Sequence, residues 1–193
     1  GYSNALYESG NYLVNRIDLK TEELLVRADD IAGIEYDAES EVQAFAAELS
    51  AAYFEFEKMA KQYYEITNFL AEQLKTVLKD TFVDGSIEWN EANVKEVQYE
   101  SRKLLVYKAL AGFVVKIFKH ISGISGINRK VFLTNANDML TSFRCIVDYR
   151  NVNTETVLSN WGRYPEVWKG TNEILSMEMS AKFAYLHHVR LDI

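Results

Sequence analysis

The sequence is poor in the residues that build disulfides, metal sites and turns. Among its 193 residues are one cysteine, three histidines, one proline and nine glycines. A single thiol, Cys145, excludes an intramolecular disulfide and a cysteine-based zinc site. A lone thiol is compatible with the cytosol and with secretion without disulfides, so the sequence leaves both localisations as alternatives. No hydrophobic stretch opens the chain, so we expect no retained signal peptide.

Motifs that indicate an enzyme are also missing. There is no HExxH or HxH pattern, no glycine-rich phosphate loop and no GxSxG sequence. His188 and Asp192 stand four residues apart and share one face of a predicted helix. At this spacing the carboxylate of Asp192 can orient the imidazole of His188. His187 and His188 point about 100° apart on a regular helix, so they do not bind one metal together. We therefore predict a non-enzymatic protein with no catalytic residue, no cofactor and no metal.

The scarcity of proline, with Pro165 alone, is compatible with long helices, because a proline inside a helix destabilises it by about 3 kcal/mol or more. From residue 42 onward apolar residues recur at steps of three and four, which predicts a long helix. They are Val42, Phe45, Leu49, Ala52, Phe56, Met59, Tyr63, Ile66 and Leu70. Asp37 or Ser40 can cap its start, and Asp84-Gly85-Ser86 ends it. Asn90 begins a second long helix that reaches Ser122.

Shorter helical segments flank this pair. The sequence predicts helices at 21–31, where Thr21 can act as the cap, at 128–149, at 154–160 and at 171–190. The first twenty residues are ambiguous, and no strand alternation appears. We predict one all-α domain over 1–193. It comprises an N-terminal short-helix region (1–36), a long antiparallel helical hairpin (37–122) and C-terminal helices (123–193), which extend the hairpin into an elongated helical bundle.

The net charge of −7 divides unevenly along the chain. Residues 1–100 carry a net −13 and residues 101–193 a net +6. Residues 28–57 contain nine acids and no base. Such segregation indicates either a basic partner or two halves that attract each other. The candidate partner surface is Asp29, Asp30, Glu35, Asp37, Glu41, Glu48, Glu55 and Glu57, with Tyr53 and Tyr64; the candidate basic stripe is Lys108, Lys116 and Lys119.

Nucleic acid and membrane are not the expected partners. A sequence pI near 5.1 argues against nucleic-acid binding by the whole chain. Twelve of the fifteen residues from Leu104 to Phe118 are apolar, but Lys108 and Lys116 interrupt them. A membrane span needs about 18–20 predominantly apolar residues with few charges. A helix that meets a membrane only after a trigger remains an alternative.

The C-terminal third resembles the tail of phage minor-head proteins and secreted polymorphic toxins. The resemblance is carried by Asp138-Met139-Leu140, Trp161-Gly162-Arg163-Tyr164, Val167-Trp168 and Glu178-Met179-Ser180-Ala181. It implies a relative of zinc peptidases, which carry an upstream HExxH. Here Arg163 replaces a histidine. The upstream segment most similar to HExxH is Tyr99-Glu100-Ser101-Arg102-Lys103, and it contains no histidine. The resemblance therefore implies a catalytically inactive member.

Three functions are consistent with the sequence. The first is a non-enzymatic interaction protein, a scaffold, adaptor or assembly subunit that binds a protein partner or itself through the long hairpin. The second is an acidic neutraliser, similar to immunity proteins and antitoxins, that binds a basic enzyme. The third is an effector or toxin domain, either peptidase-like or membrane-active.

Overall fold

The computed structural model describes residues 2–81 and 87–142. They form four α-helices: α1 (Tyr2–Ala32), α2 (Glu39–Thr81), α3 (Ile87–Ser122) and α4 (Arg129–Ser142). The described residues contain no strand, so the predicted all-α class is confirmed for this part of the chain. The helices predicted at 154–160 and 171–190 lie outside the described residues.

Helix α1 is longer than the sequence predicts. It begins at Tyr2, whereas the sequence predicts a start at Thr21. Thr21 is not a cap: it is buried within the helix, and its hydroxyl donates a 2.7 Å hydrogen bond to the carbonyl of Ile17. Threonine bonds this carbonyl, four residues earlier, when it lies inside a helix.

Helix α2 has the length that the apolar periodicity predicts, 43 residues. Asp37 provides the expected start signal, since its carboxylate accepts the N–H of Glu39 at 3.2 Å. The buried stripe leaves the predicted positions toward its end, where Ile66 is exposed and Tyr64 and Thr67 are buried. A straight helix drifts by about 20° per heptad relative to a strict seven-residue repeat, and this drift moves the buried face.

Cross-helix contacts give the directions of the first three helices. Between α1 and α2, the hydroxyl of Tyr63 donates to the carbonyl of Leu6, and Arg16 pairs with Glu55. As residue numbers rise on α1 they fall on α2, so the two helices are antiparallel. Between α1 and α3 both numbers rise: Arg102 lies over the ring of Tyr7, and His120 contacts Asp29. Helix α1 therefore runs parallel to α3.

The α2–α3 contact contains both aromatic and polar pairs. The rings of Phe56 and Phe113 meet edge-on, with 5.4 Å between their centroids. Further along, the Tyr64 hydroxyl donates to the carbonyl of Lys103. The ammonium of Lys103, a fully buried residue, donates to the amide oxygen of Asn68 at 2.7 Å. A buried cation is tolerated only with such partners.

Helix α4 is attached to the beginning of α2 by one buried amide. The side-chain oxygen of Asn128 accepts the N–H of Ala38, and its NH2 group donates to the carbonyls of Ile34 and Tyr36. Three backbone groups of the α1–α2 turn are satisfied in this way. Phe132 then packs edge-on against Phe45, with 5.8 Å between ring centroids, so α4 runs along the first turns of α2.

Candidate functional site

The predicted acidic surface is divided between two places. Asp30, Glu35 and Asp37 are exposed at the turn between α1 and α2, and Glu39, which is outside the predicted surface, is exposed beside them. Asp29 is at the same end, where its carboxylate lies 2.6 Å from Nε2 of His120 on α3. Glu41, which is half-buried, follows in the first turn of α2. The last turn of α3, with Lys119 and His120, is at the same end, so these acids stand beside basic residues.

Two of the other acids, Glu48 and Glu55, contact α1. Glu48 pairs with both Lys20 and Arg27, at 3.1 and 2.9 Å, and Glu55 pairs with Arg16. One of the two sequence-based interpretations pairs the acids of residues 1–100 with the bases of residues 101–193. The bases that meet these two glutamates come instead from α1, in the acidic half.

Three residues of the predicted partner surface lie in the interior. Tyr53 and Tyr64 are only 1% and 2% exposed, and Glu57 is 9% exposed. The prediction was wrong for these three because it grouped residues by their position in the sequence. The helix turns all three toward the interior, where Tyr64 bonds to Lys103 of α3, and a residue in the interior is not accessible to a partner.

The predicted basic stripe lies on one side of α3. Lys116 and Lys119 are exposed, and Lys108 is half-buried. Gly112 stands between them on the same side, and a Cβ atom added there would meet no heavy atom within 4 Å. The four residues therefore share an open side of the helix.

The structure reveals a surface that sequence reasoning missed, which we term the α1–α2 face. On α1, Tyr12, Leu19 and Val26 are 60%, 68% and 60% exposed. On α2, Ile66 and Phe69 are 54% and 62% exposed, and Ala44 and Ala51 are also exposed. The sequence contains one signal for this face, the seven-residue spacing of Tyr12, Leu19 and Val26. The spacing places the three side chains on one side of a helix only if α1 begins before residue 12, whereas the sequence predicts a start at Thr21.

A groove lies along this face, with a volume of about 600 Å³. Tyr12 and Leu19 line it from α1, and Ala51, Ala52 and Phe56 line it from α2. Solvent-exposed large apolar side chains in one contiguous area are typical of interaction sites. The groove therefore has the chemistry of a site for an apolar helix face.

Paired charges of opposite sign cross the groove between α1 and α2. Arg16 and Lys20 stand on the α1 side and Glu48 and Glu55 on the α2 side. Partial burial lowers the pKa of Lys20, but its bonds to Glu48 and Glu23 outweigh this and leave it raised. The hydroxyl of Tyr12 and the carboxylate of Glu55 raise the pKa of Arg16. Both α1 bases are therefore firmly cationic beside an acidic α2.

Metal-binding clusters and membrane-spanning helices are two further features that the described residues can be compared with. Among residues 2–81 and 87–142, no three His, Cys, Asp or Glu side chains are grouped to hold a metal ion. No helix within these ranges is long and apolar enough to cross a membrane. His187, His188, Asp192 and Cys145 lie outside the described residues.

The residues that carry the phage and toxin resemblance are mostly beyond the described part as well. Asp138 and Met139 lie on α4, where Met139 is half-buried against the core. The segments at 161–168 and 178–181 are outside the described residues. Comparison of the chain with protein-family models, with curated proteins and with solved structures finds no match.

Proposed function

We propose that the protein is a non-enzymatic helical-bundle interaction protein, a scaffold, adaptor or assembly subunit. In this proposal α2 and α3 form a long antiparallel hairpin within an elongated bundle. The hairpin binds a protein partner through the outer side of α2, and α1 supplies the other half of the site. The observation that supports this proposal is the α1–α2 face, where five large apolar side chains are each more than half exposed.

Physical chemistry supports a helical protein as the ligand of this face. Apolar side chains of both helices line the groove, together with the Arg16–Glu55 and Lys20–Glu48 ion pairs. An amphipathic helix packs its apolar stripe against apolar side chains of this kind and meets the charges with its own polar residues. A small hydrophilic substrate would leave the exposed apolar side chains in water.

Site-specific photocrosslinking tests this proposal. A benzophenone amino acid is placed at Leu19 or at Ala51, and the protein is irradiated in the cells that naturally produce it. We expect covalent adducts with protein from both positions. The matched control carries the same group at Lys130, which is exposed on α4. A folded protein that gives no more adduct from the face than from Lys130 contradicts the proposal.

The exposed carboxylates at the α1–α2 turn favour a second candidate, the acidic neutraliser of a basic enzyme. Asp30, Glu35, Asp37 and Glu39 are all solvent-exposed at one end of the molecule. Charged surfaces of this kind steer a partner of opposite charge and accelerate its association. The relevant partner is a basic enzyme whose active site accepts a cluster of carboxylates.

Crosslinking also separates the second candidate from the first. The benzophenone group at Glu35 reports on the acidic turn, as Leu19 reports on the α1–α2 face. Adducts that arise from Glu35 and are lost when Asp30 and Glu39 are changed to lysine favour the neutraliser. Adducts that arise only from Leu19 and Ala51 exclude the turn as the binding site.

A further inference from the structure

We propose that the α1–α2 face binds a second copy of this chain, in a dimer whose two-fold axis runs parallel to the helices. In that dimer α1 of each copy lies against α2 of the other, and four antiparallel helices meet across the interface. The inference rests on the proposed function, because it names the partner of the same face. Two features of the face support the dimer: the sizes of the side chains at matching levels of α1 and α2, and the charges on the two helices.

The register between α1 and α2 determines which residues would meet. Arg16 is level with Glu55, and Leu6 is level with Tyr63. Continued along the antiparallel pair, this register places Leu19 level with Ala51 and Val26 level with Ala44. Ala5, which is exposed, is level with Ile66. A two-fold axis parallel to the helices preserves these levels and exchanges only the partner.

Large side chains then face small ones at each of the three levels. Leu19 of one copy meets Ala51 of the other, and Val26 meets Ala44. At the opposite end the order is reversed, since Ile66 on α2 meets Ala5 on α1. Helices pack when side chains of one fill the spaces between side chains of the next, and a large residue opposite a small one allows this.

The charges between the two helices are complementary in the same arrangement. Arg16, Lys20 and Arg27 on α1 pair with Glu48 and Glu55 on α2 within one copy, along the middle of the face. Glu23, the acid that lines the groove from α1, pairs with Lys20 on its own helix. When α1 of one copy lies over α2 of the other, the α1 bases of each copy face the α2 glutamates of the other. A two-fold axis perpendicular to the helices would instead bring α1 onto α1 and place the bases of the two copies together, which costs energy.

Analytical ultracentrifugation of the full chain over a wide concentration range tests the dimer. We expect a mass twice the 22.2 kDa of one chain at high concentration. Leu19→Asp places a carboxylate in the interface and should weaken the dimer at least tenfold, and Leu19→Ala should weaken it less. Ile127→Asp, at an equally exposed apolar residue on the α3–α4 turn, should leave the dimer unchanged.

Cysteine crosslinking tests the orientation. In a Cys145→Ser background, an isotopically labelled Leu19→Cys protein is mixed with an unlabelled Ala51→Cys protein and oxidised. We expect disulfides that join labelled residue 19 to unlabelled residue 51. Predominant disulfides between two copies of residue 19 would overturn the parallel axis and place the axis perpendicular to the helices.

The outcome also distinguishes this inference from the function on which it rests. A wild-type chain that stays monomeric at every concentration overturns the dimer. If Leu19 and Ala51 then crosslink to a different protein, the interaction function stands and only the identity of the partner is wrong. If neither self-association nor crosslinking occurs, both proposals fail.

Discussion

Single buried polar residues hold parts of this structure that apolar packing alone leaves undefined. Asn128 is 1% exposed and joins three backbone groups of the α1–α2 turn to the start of α4. The sequence contains no sign of this role, because the groups involved lie some ninety residues away. An asparagine before a helix reads only as a cap for that helix.

Replacement of Asn128 by alanine should destabilise the protein by about 2–3 kcal/mol, because a buried N–H and two carbonyls lose their partner. Urea denaturation measures the free energy of unfolding. Asn15→Ala, at an exposed site on α1, is the control and should change it by less than about 0.5 kcal/mol. A loss at Asn128 no larger than at Asn15 would show that the turn does not depend on this amide.

Tyr63 makes stability depend on alkaline pH. Burial raises the pKa of its phenol to about 12, although the charge of Arg102 opposes the shift. The unfolded phenol titrates near 10. Folding therefore favours the protonated form, and its stabilising contribution is complete below about pH 10 and is lost as the pH rises to about 12.

The measurement compares urea midpoints of the wild type and Tyr63→Phe at pH 9 and pH 11. Both proteins contain the other tyrosines, so the difference between them isolates Tyr63. We expect the wild type to lose more stability than Tyr63→Phe over this interval. Equal losses would show that the Tyr63 phenol titrates normally in the folded protein.

At the scale of elements, local patterns determine where helices occur and tertiary packing determines their faces. Periodicity predicted α2 well, because a helix forms its hydrogen bonds within one segment and its apolar residues record the buried side. It underestimated α1, whose Gly10 looks like an interruption in a helix. Gly10 leaves room there for the buried Tyr63 side chain, since a Cβ atom would lie 2.6 Å from its hydroxyl.

Helix α4 should depend on the aromatic contact between Phe132 and Phe45. Phe132→Ala removes a fully buried ring from a contact between α4 and α2. Such truncations cost about 3–5 kcal/mol, and we expect amide exchange to accelerate in α4 more than in α1. Ile127→Ala, at an exposed residue nearby, is the control. Equal acceleration in both helices would mean that α4 does not open separately.

At the scale of the whole molecule, α1 packs against both α2 and α3. It contacts α2 through Arg16 and Leu6, and it contacts α3 through Tyr7 and Asp29. The α1–α3 partners are about ninety residues apart in sequence. The long-range pairing of α1 with α3 could not be read from any local pattern, because periodicity says nothing about which helix a buried face meets.

Loss of α1 should therefore loosen α3. Asp18 is exposed, so Asp18→Pro disturbs only the backbone of α1, at a cost of about 3 kcal/mol or more. We expect hydrogen exchange of the α3 amides near Phe113 and Ile117 to accelerate together with that of α1. Asp18→Ala is the control and should leave both unchanged. Acceleration confined to α1 would show that it is an appendage of the other helices.

The sequence by itself determined that the described chain is helical and how far α2 extends, because helical hydrogen bonds and apolar periodicity are properties of one segment. Only the tertiary structure decided that Tyr53, Tyr64 and Glu57 are interior and that the α1–α2 face is open. The physical reason is that burial depends on the position of neighbouring helices. Contacts such as Asn128 with the α1–α2 turn, or His120 with Asp29, exist only after distant segments have come together.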